Sequence, residues 1–329
     1  LNSVHTFAND PQRGLFILIF LFILIFLSFF IFLFFHKKEN KNINSFFWLS
    51  KETSILVNNW FMMYFLSVVL IGTTYPIFLE VISSEKISVG PPFFNKLIIP
   101  FLVPFLFVMA IGPKLKWIKS DIENKLHLIL FLIISLLLSV FIIKNLDVNF
   151  LLNTVLVTAA FYLFFITLRD FFINKFKNLS QNLAHFSFSL LILSILFNNI
   201  FTTEIITNLK INETFKSEKF KINFEGIEQK NEKNFQAIIG KFTIENSNGI
   251  IDIMKPELRI YNQPNIVTSE ADIKTNILTD KFMTMNLVQN QEYFNIRYQI
   301  KPFMIWIWFS VLLIVFSGLI SLVKKRNEN

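Results

Sequence analysis

Residues 15–35 read LFILIFLFILIFLSFFIFLFF, an apolar run in which Ser28 is the only polar side chain. A helix rises about 1.5 Å per residue, so a run of this length covers about 30 Å, the thickness of the hydrocarbon core of a bilayer. A soluble domain has no core large enough to surround such a segment on every side. The run therefore predicts a transmembrane helix.

The rest of the chain repeats this pattern. Of its 329 residues 53% are hydrophobic and 16% charged, and the mean hydropathy is +0.53, too apolar for a soluble domain. One further run, at 97–112, is short and contains Pro100 and Pro104, which predicts a kinked span. The sequence thus predicts a polytopic α-helical membrane protein with about seven transmembrane helices. The five other runs lie at 55–79, 126–143, 150–168, 183–201 and 303–323.

Basic residues mark one side of the membrane. Lys and Arg concentrate in alternate loops and in the tail, which the positive-inside rule places on the cytoplasmic or matrix side. Residues 1–14 and the 79–97 loop then face outward. Because the net charge of +8 gathers beside apolar runs, it is a topology signal, and no nucleic-acid partner is expected. The basic segments are 36–52, 112–125, 169–182 and 324–326.

Residues 203–301 break the apolar pattern. They are polar and alternate apolar with polar side chains, as in KFKINFEG (219–226) and FNIRYQIK (294–301). Asn248-Gly249 lies between two such segments and is a strong hairpin signal. A small outer-side β domain is therefore predicted before the last helix.

The chain contains no Cys, so any thiol chemistry must use the sulfur of a partner. It begins at Leu1 and reaches its first span after a single basic residue, with no small-residue cleavage site behind that span. We therefore expect a fragment, a split-gene product or a processed chain rather than a signal peptide.

Two of the four histidines are candidate ligands. His5 precedes the first span and is either a surface-loop histidine or an axial ligand of haem iron. His185 lies inside the span at 183–201, where an ionisable side chain is a functional candidate, although an interfacial role is equally open. His36 and His127, at the ends of spans, are interpreted as interfacial.

The predicted topology separates the two candidates. His5 and His185 lie on opposite sides of a core about 30 Å thick, so they cannot ligate the same iron. Each needs a second ligand. His36 or His127 are available only on the inner side, and the outer site must be completed by another chain or a missing segment.

The loop at 85–95 contains Gly90-Pro91-Pro92 followed by Phe93 and Phe94. We expect a stiff, non-helical turn, either a simple re-entrant turn or an aromatic shelf for a flat apolar ligand. The spans carry few ionisable residues and the chain few glycines, which disfavours a proton-coupled transporter with broken helices.

Eight segments together resemble the C-terminal half of the CcmF, CycK and NrfE family of cytochrome c maturation haem lyases. The similarity extends from Ser3 to about Lys325, and the order and spacing of the segments make it specific. The most characteristic segments are SVHTFANDPQRGLFIL (3–18), GTTYPIFLE (72–80), KISVGPPFFN (86–95), LAHFSFSLLILSI (183–195) and PELRIYNQPNIVTSEADIKTN (256–276).

The resemblance implies a haem lyase that receives haem from the chaperone CcmE and attaches it to the CxxCH thiols of apocytochrome c. Haem b is then both a resident cofactor and the transferred group. By motif position His5 corresponds to an outer ligand of the transferred haem and His185 to a membrane ligand of the resident haem. Further implied partners are the N-terminal half of the lyase and CcmH-type proteins that handle apocytochrome. The implied location is the bacterial inner membrane or, alternatively, the mitochondrial inner membrane.

These patterns divide the chain into four parts, and the resemblance adds a haem-site role for the first. Residues 1–14 form an outer-side haem-site segment, 15–202 a six-helix membrane region, 203–301 a periplasmic or intermembrane-space β domain, and 302–329 the last helix and basic tail.

The chain departs from the complete family pattern in two respects. Its five Trp residues do not form the WGxWWxWD-like run that presents haem in the family, and Phe186-Ser187 replaces the small residues that the family has after its membrane histidine. Alternatives are a haem transporter or export subunit and a non-catalytic scaffold of the maturation complex.

Overall fold

The computed structural model describes residues 11–35, 47–83, 87–120, 125–173, 178–217, 220–246, 249, 251–262, 266–288 and 292–327. Within these ranges seven helices are long and apolar enough to cross a membrane, and ten strands lie between the sixth and the seventh helix. The prediction of a polytopic helical membrane protein with a β domain before its last helix is confirmed. The helices are α1 (Pro11–Phe35), α2 (Lys51–Ser83), α3 (Pro91–Ile111), α4 (Lys125–Ile143), α5 (Phe150–Ile173), α6 (Leu179–Phe201) and α7 (Met304–Asn327).

The chain forms two compact units, the first ending at Ile166 and the second beginning at Thr167, both within α5. In the first unit aromatic side chains join α2 to α3. The rings of Tyr64 and Phe101 are 4.2 Å apart, and the Tyr64 hydroxyl donates a hydrogen bond to the carbonyl of Leu97 at 2.9 Å. This packing holds α3 as one helix although Pro100 and Pro104 lie inside it.

The sequence prediction for Gly90-Pro91-Pro92 is wrong. Gly90 is the N-cap of α3, and the two prolines form its first turn. Proline is tolerated there because the amide hydrogen it lacks would have no partner within the helix. Phe93 and Phe94 pack on α2 at Gly72, where an added Cβ would come within 2.9 Å of Phe93 and 2.7 Å of Phe94. The aromatic pair therefore serves helix packing.

The ten strands of the second unit form two antiparallel sheets. One sheet has the order β1-β10-β9-β8, and the other has the order β2-β3-β4-β6-β7 with β5 also paired to β4. The strands are β1 (Thr203–Leu209), β2 (Thr214–Lys216), β3 (Phe220–Asn231), β4 (Phe235–Asn246), β5 (Ile251–Met254), β6 (Glu257–Tyr261), β7 (Ile266–Glu270), β8 (Asp272–Thr275), β9 (Thr279–Leu287) and β10 (Phe294–Pro302).

Side chains from both sheets fill one core. Phe224 and Phe242 of the larger sheet stack at 4.3 Å, and Met283, Ile296 and other residues of the smaller sheet join the same cluster. All four of these side chains are fully buried. This region is therefore a β-sandwich with its own hydrophobic centre.

The predicted hairpin at Asn248-Gly249 is confirmed by strand pairing. β4 pairs antiparallel with β5, and Phe242 lies opposite Met254. Gly249 has a φ of 74°, which favours glycine, and its amide donates to the carbonyl of Asn246 at 2.8 Å. Asn248 itself lies outside the described residues.

The sandwich is joined to α6 and α7 at one place. Its first and last strands, β1 and β10, pair over the whole of β1, from Thr203 opposite Ile300 to Leu209 opposite Phe294. The Asn198 amide of α6 donates to the carbonyl of Pro302 at 2.6 Å. Toward the beginning of α6 and the end of α7, the Ser180 hydroxyl donates to the carbonyl of Ser317 at 2.8 Å. Helices α6 and α7 are therefore antiparallel neighbours.

Candidate functional site

His185 lies in the second turn of α6, toward the helix end opposite to the β-sandwich. In a helix, residues three or four positions apart share a face, so Asn182, His185 and Ser189 form one polar stripe along an otherwise apolar span. His185 is half-buried, and Ser189 is fully buried. The sequence predicted the position of this histidine within a span, and the helix bounds confirm that position.

The end of α5 faces this stripe. The hydroxyls of Thr167 and Ser189 share a hydrogen bond of 2.9 Å, and the Ser189 hydroxyl also donates to the carbonyl of Phe186 at 2.7 Å. The rings of Phe171 and Phe186 stack at 5.9 Å beside them. These contacts fix the rotation of α6 relative to the end of α5, and with it the direction of the histidine.

Asp170 is the charged residue of α5 that interacts electrostatically with His185. Its carboxylate also lies 3.5 Å from the guanidinium of Arg169. Thr167 and Asp170 are three residues apart and so share a face of α5. The site therefore combines one imidazole, one carboxylate, one amide and two hydroxyl groups within an apolar surrounding.

The Nδ1 atom of His185 is buried and has no hydrogen-bond partner among the residues that the structure describes. A buried polar atom without a partner is destabilising. Such an atom in a membrane span is therefore a candidate for binding a further group. A neutral imidazole is the usual axial donor to haem iron. The buried imidazole of His185 therefore fits the chemistry of an axial haem ligand. The described neighbours of His185 include no second histidine.

Of the other histidines, the structure describes His127. His127 lies at the beginning of α4 in the first unit, where its ring contacts Phe131 edge-on at 6.5 Å. His5 and His36 lie outside the described residues. Within the described ranges no group of three or more His, Asp or Glu side chains is arranged to hold a metal ion.

Sequence reasoning identified His185 but missed the contribution of α5. The signal was present, since Thr167 and Asp170 are polar residues near the end of an apolar run, three positions apart. It had no meaning without knowing that this end of α5 lies against α6. The fold and this site together define a polytopic helical membrane protein that carries a β-sandwich before its last span and a partly buried histidine in the preceding one.

Comparison with known proteins narrows this class. Residues 200–302 match the family model described as the CcmF C-terminal beta-sandwich. The cytochrome c-type biogenesis protein CcmF of Pseudomonas fluorescens is 30% identical over 341 residues, which cover 99% of this chain and 51% of that protein. CcmF of Escherichia coli (strain K12) is 26% identical over 336 residues, with 99% of this chain and 52% of that protein covered.

A solved structure titled cytochrome c heme lyase CcmF has the same fold. It is 20% identical, and the superposition covers 83% of this chain and 46% of that one with a TM-score of 0.64. The chain spans about half the length of the curated relatives it matches. It is thus CcmF-like along nearly its whole length and corresponds to the C-terminal half of such proteins.

Proposed function

We propose that this chain is the C-terminal part of a cytochrome c haem lyase, in which His185 ligates a haem b that resides in the membrane. The observation that carries the proposal is the buried Nδ1 of His185, which has no hydrogen-bond partner among the described residues although it lies inside an apolar span of a CcmF-like chain. An ordinary interfacial histidine turns both ring nitrogens toward water or donors.

The residues around His185 orient the imidazole. The bond between Thr167 and Ser189 holds α6 against α5, and the stacked rings of Phe171 and Phe186 limit the access of water beside it. Asp170 of α5 interacts electrostatically with the imidazole. When bound, haem b supplies an iron that accepts and donates single electrons. The chain's own contribution is ligation, orientation and exclusion of water.

His5 is proposed to ligate the iron of the haem that is the substrate. In support, the distribution of Lys and Arg predicts an outer location for residues 1–14, the side on which apocytochrome thiols would arrive. The reaction adds each cysteine thiol of a CxxCH motif across a haem vinyl group, forming a carbon–sulfur bond. Because the chain has no Cys, every reacting sulfur comes from the apocytochrome.

The remaining components are proposed from the family. The complementary N-terminal half would supply the second axial ligands and the tryptophan-rich motif, CcmE would deliver haem, and CcmH-type proteins would present apocytochrome c. The proposed location is the bacterial inner membrane, in line with the bacterial relatives and the seven spans. In this assembly the present chain acts only together with its other half.

The role of His185 is tested in a complex rejoined to that half. We expect His185→Ala to remove the bis-imidazole absorbance of the resident haem and to lower the haem-to-protein ratio by at least several-fold. The matched control is Ser187→Ala, because Ser187 is buried on the same helix but bonds back to the carbonyl of Leu183 and points to another face. An unchanged spectrum in His185→Ala would rule out ligation and leave a scaffold role.

The role of His5 is tested by separating two yields. We expect His5→Ala to reduce covalent cytochrome c formation while the resident haem stays in place, and His5→Gly to recover partly with added imidazole, which occupies a vacated axial position. Normal cytochrome yield in His5→Ala, or loss of the resident haem instead, would contradict the assignment.

A further inference from the structure

The turn that joins β8 to β9 exposes two large aliphatic side chains. Ile277 and Leu278 occupy its tip and are 70% and 60% exposed. The turn is closed by the amide of Asn276, which donates to the carbonyl of Thr279 at 2.9 Å. Tight turns favour Gly, Asn, Asp, Ser and Pro, so an Ile-Leu tip is unusual for a turn that faces water.

Two hydrogen bonds tie this turn to the beginning of α7. The indole nitrogen of Trp306 donates to the carbonyl of Ile277 at 3.0 Å. The backbone amide of Phe303 donates to the carbonyl of Leu278 at 2.7 Å. The tip of the turn therefore has a fixed position relative to the first turn of a membrane span.

The length of α7 sets the depth of that position. Its apolar part, Met304–Val323, has 20 residues and is therefore about 30 Å long, which equals the thickness of the hydrocarbon core. We therefore place the beginning of the hydrocarbon core near Met304. Trp306 lies two residues further along, about 3 Å deeper, and Trp is favoured at this boundary because its ring is apolar and its N–H is polar. The carbonyl of Ile277 lies at the same level as the indole.

The beginning of α7 also exposes large apolar side chains. Ile305, Trp308 and Phe309, in the first two turns of that helix, are also exposed. Exposed apolar side chains therefore occur both on the turn and on the first two turns of the helix to which it is bonded. Because α7 is a membrane span, the medium that covers these side chains on the helix is lipid, and the turn lies at the edge of the same medium.

We propose that the β8–β9 turn is a membrane anchor of the β-sandwich, with Ile277 and Leu278 inserted at the boundary between headgroups and acyl chains of the leaflet that α7 enters. The partner is the lipid surface itself. The anchor gives the sandwich a second contact with the bilayer besides its covalent links to α6 and α7, and so limits its tilt. It does not depend on haem or on any step of cytochrome maturation.

The absence of Cys from the chain makes a direct test available. Ile277→Cys and Leu278→Cys are each labelled with an environment-sensitive fluorophore, and the full chain is placed in vesicles of phosphatidylcholine and phosphatidylglycerol. The matched control is Leu287→Cys, an equally apolar and half-exposed position at the other end of β9, about 27 Å along the strand. Nitroxide lipids and aqueous iodide serve as the two quenchers.

We expect nitroxide lipids to quench the labels at 277 and 278 several-fold more than the label at 287, and iodide to show the reverse order. Iodide quenching at 277 and 278 equal to that at 287 would overturn the proposal. Protection from both quenchers would also overturn it, because it would mean that protein rather than lipid covers the turn.

A second variant tests the tie to α7 without changing the tip. Trp306→Phe keeps an aromatic ring but removes the N–H that binds the carbonyl of Ile277. Lipid quenching of the label at 277 should fall measurably in this variant, while the label at 287 stays unchanged. No change at 277 would show that the hydrogen bond does not set the depth of the turn.

Discussion

The β-sandwich and the membrane helices bury their apolar side chains in opposite ways. In the sandwich Phe224, Phe242, Ile296 and their neighbours are fully enclosed between two sheets. Among the described helices, none of the span of α1 is buried by protein, and α5 alone has more than half of its span buried, at 56%. The sandwich thus contains its own core, whereas at most 22% of each described span other than that of α5 is buried by protein.

The difference follows from the solvent of each region. In water, folding encloses apolar surface because burial stabilises the folded state by about 25 cal/mol for each Å² of apolar surface removed from water. In a bilayer, lipid tails are as apolar as leucine, so helices associate through small and polar residues and close packing instead. Buried serine and threonine hydroxyls are accordingly frequent in α4, α5 and α6, at Ser135, Ser139, Thr158, Ser189 and Ser194.

The largest expected effect comes from removing a ring of the enclosed core. Phe242→Ala should lower the free energy of unfolding of the sandwich by about 3–5 kcal/mol, because the surrounding sheets cannot collapse into the space left. The measurement is the urea dependence of protease cleavage within residues 203–302 of the full chain in detergent micelles.

Its counterpart in the helices is Phe316→Ala, at an exposed position of α7. We expect the same assay to give a change below about 0.5 kcal/mol, as for other exposed positions. Equal effects of the two substitutions would contradict the contrast between an enclosed core and a lipid-facing surface.

A smaller effect is expected at the link between the two regions. Asn198→Ala removes the donor that binds the carbonyl of Pro302 and should lower stability by about 1–3 kcal/mol, since the carbonyl is left without that partner. The readout is protease cleavage at the ends of the sandwich, near 202 and 303. Asn199→Ala, at an exposed position on the same helix, is the control and should leave cleavage unchanged.

Substitution of Tyr298 is expected to maintain or raise the stability of the sandwich, unlike the substitutions above. Its ring is 1% exposed, and its hydroxyl is buried without a hydrogen-bond partner among the described residues; burial raises the pKa of this phenol well above its ordinary value. Tyr298→Phe removes an unsatisfied polar atom and should leave the sandwich equally stable or more stable by about 1 kcal/mol. Thermal unfolding of both proteins followed by circular dichroism compares them, and a marked loss of stability would reveal a partner for the hydroxyl.

The smallest effect is the response to acid. A hydrogen bond from Lys241, together with one from Thr243, holds the pKa of Glu225 below its ordinary value of 4.5. A lowered folded-state pKa means that the stabilisation is complete above the ordinary value and is lost as the pH falls through the lowered one. The melting temperature of the sandwich should therefore decrease slightly below about pH 4.5, and less so in Glu225→Gln. The span of α7 carries no carboxylate and should not respond.

The sequence predicted the spans because length and hydropathy alone determine them. It failed at Pro91, since a Gly-Pro-Pro string is typical both of a turn and of a helix beginning, and only the packing of Phe93 and Phe94 on Gly72 decides between them. The alternation in 203–301 predicted strands, but the pairing of β1 with β10 joins residues about ninety positions apart, which no local pattern encodes.

The same distinction holds for the candidate site. His185 was recognisable because an ionisable residue in an apolar run is unusual. Its neighbours Thr167 and Asp170 come from another helix, and their role appears only once α5 and α6 are placed side by side. The functions of His5 and His185 as haem ligands remain predictions, with His5 outside the described residues.

The pairing of β1 with β10 has a consequence for the evolution and engineering of this architecture. Because the first and last strands lie side by side, the insertion of about a hundred residues begins and ends at neighbouring points of the antiparallel pair α6 and α7. Replacing the sandwich by a short loop between Phe201 and Met304 would restore a plain helical hairpin with the path of both helices unchanged. We therefore expect that the β-sandwich can be removed, or replaced by another domain with neighbouring termini, without changing the sequence of the two helices.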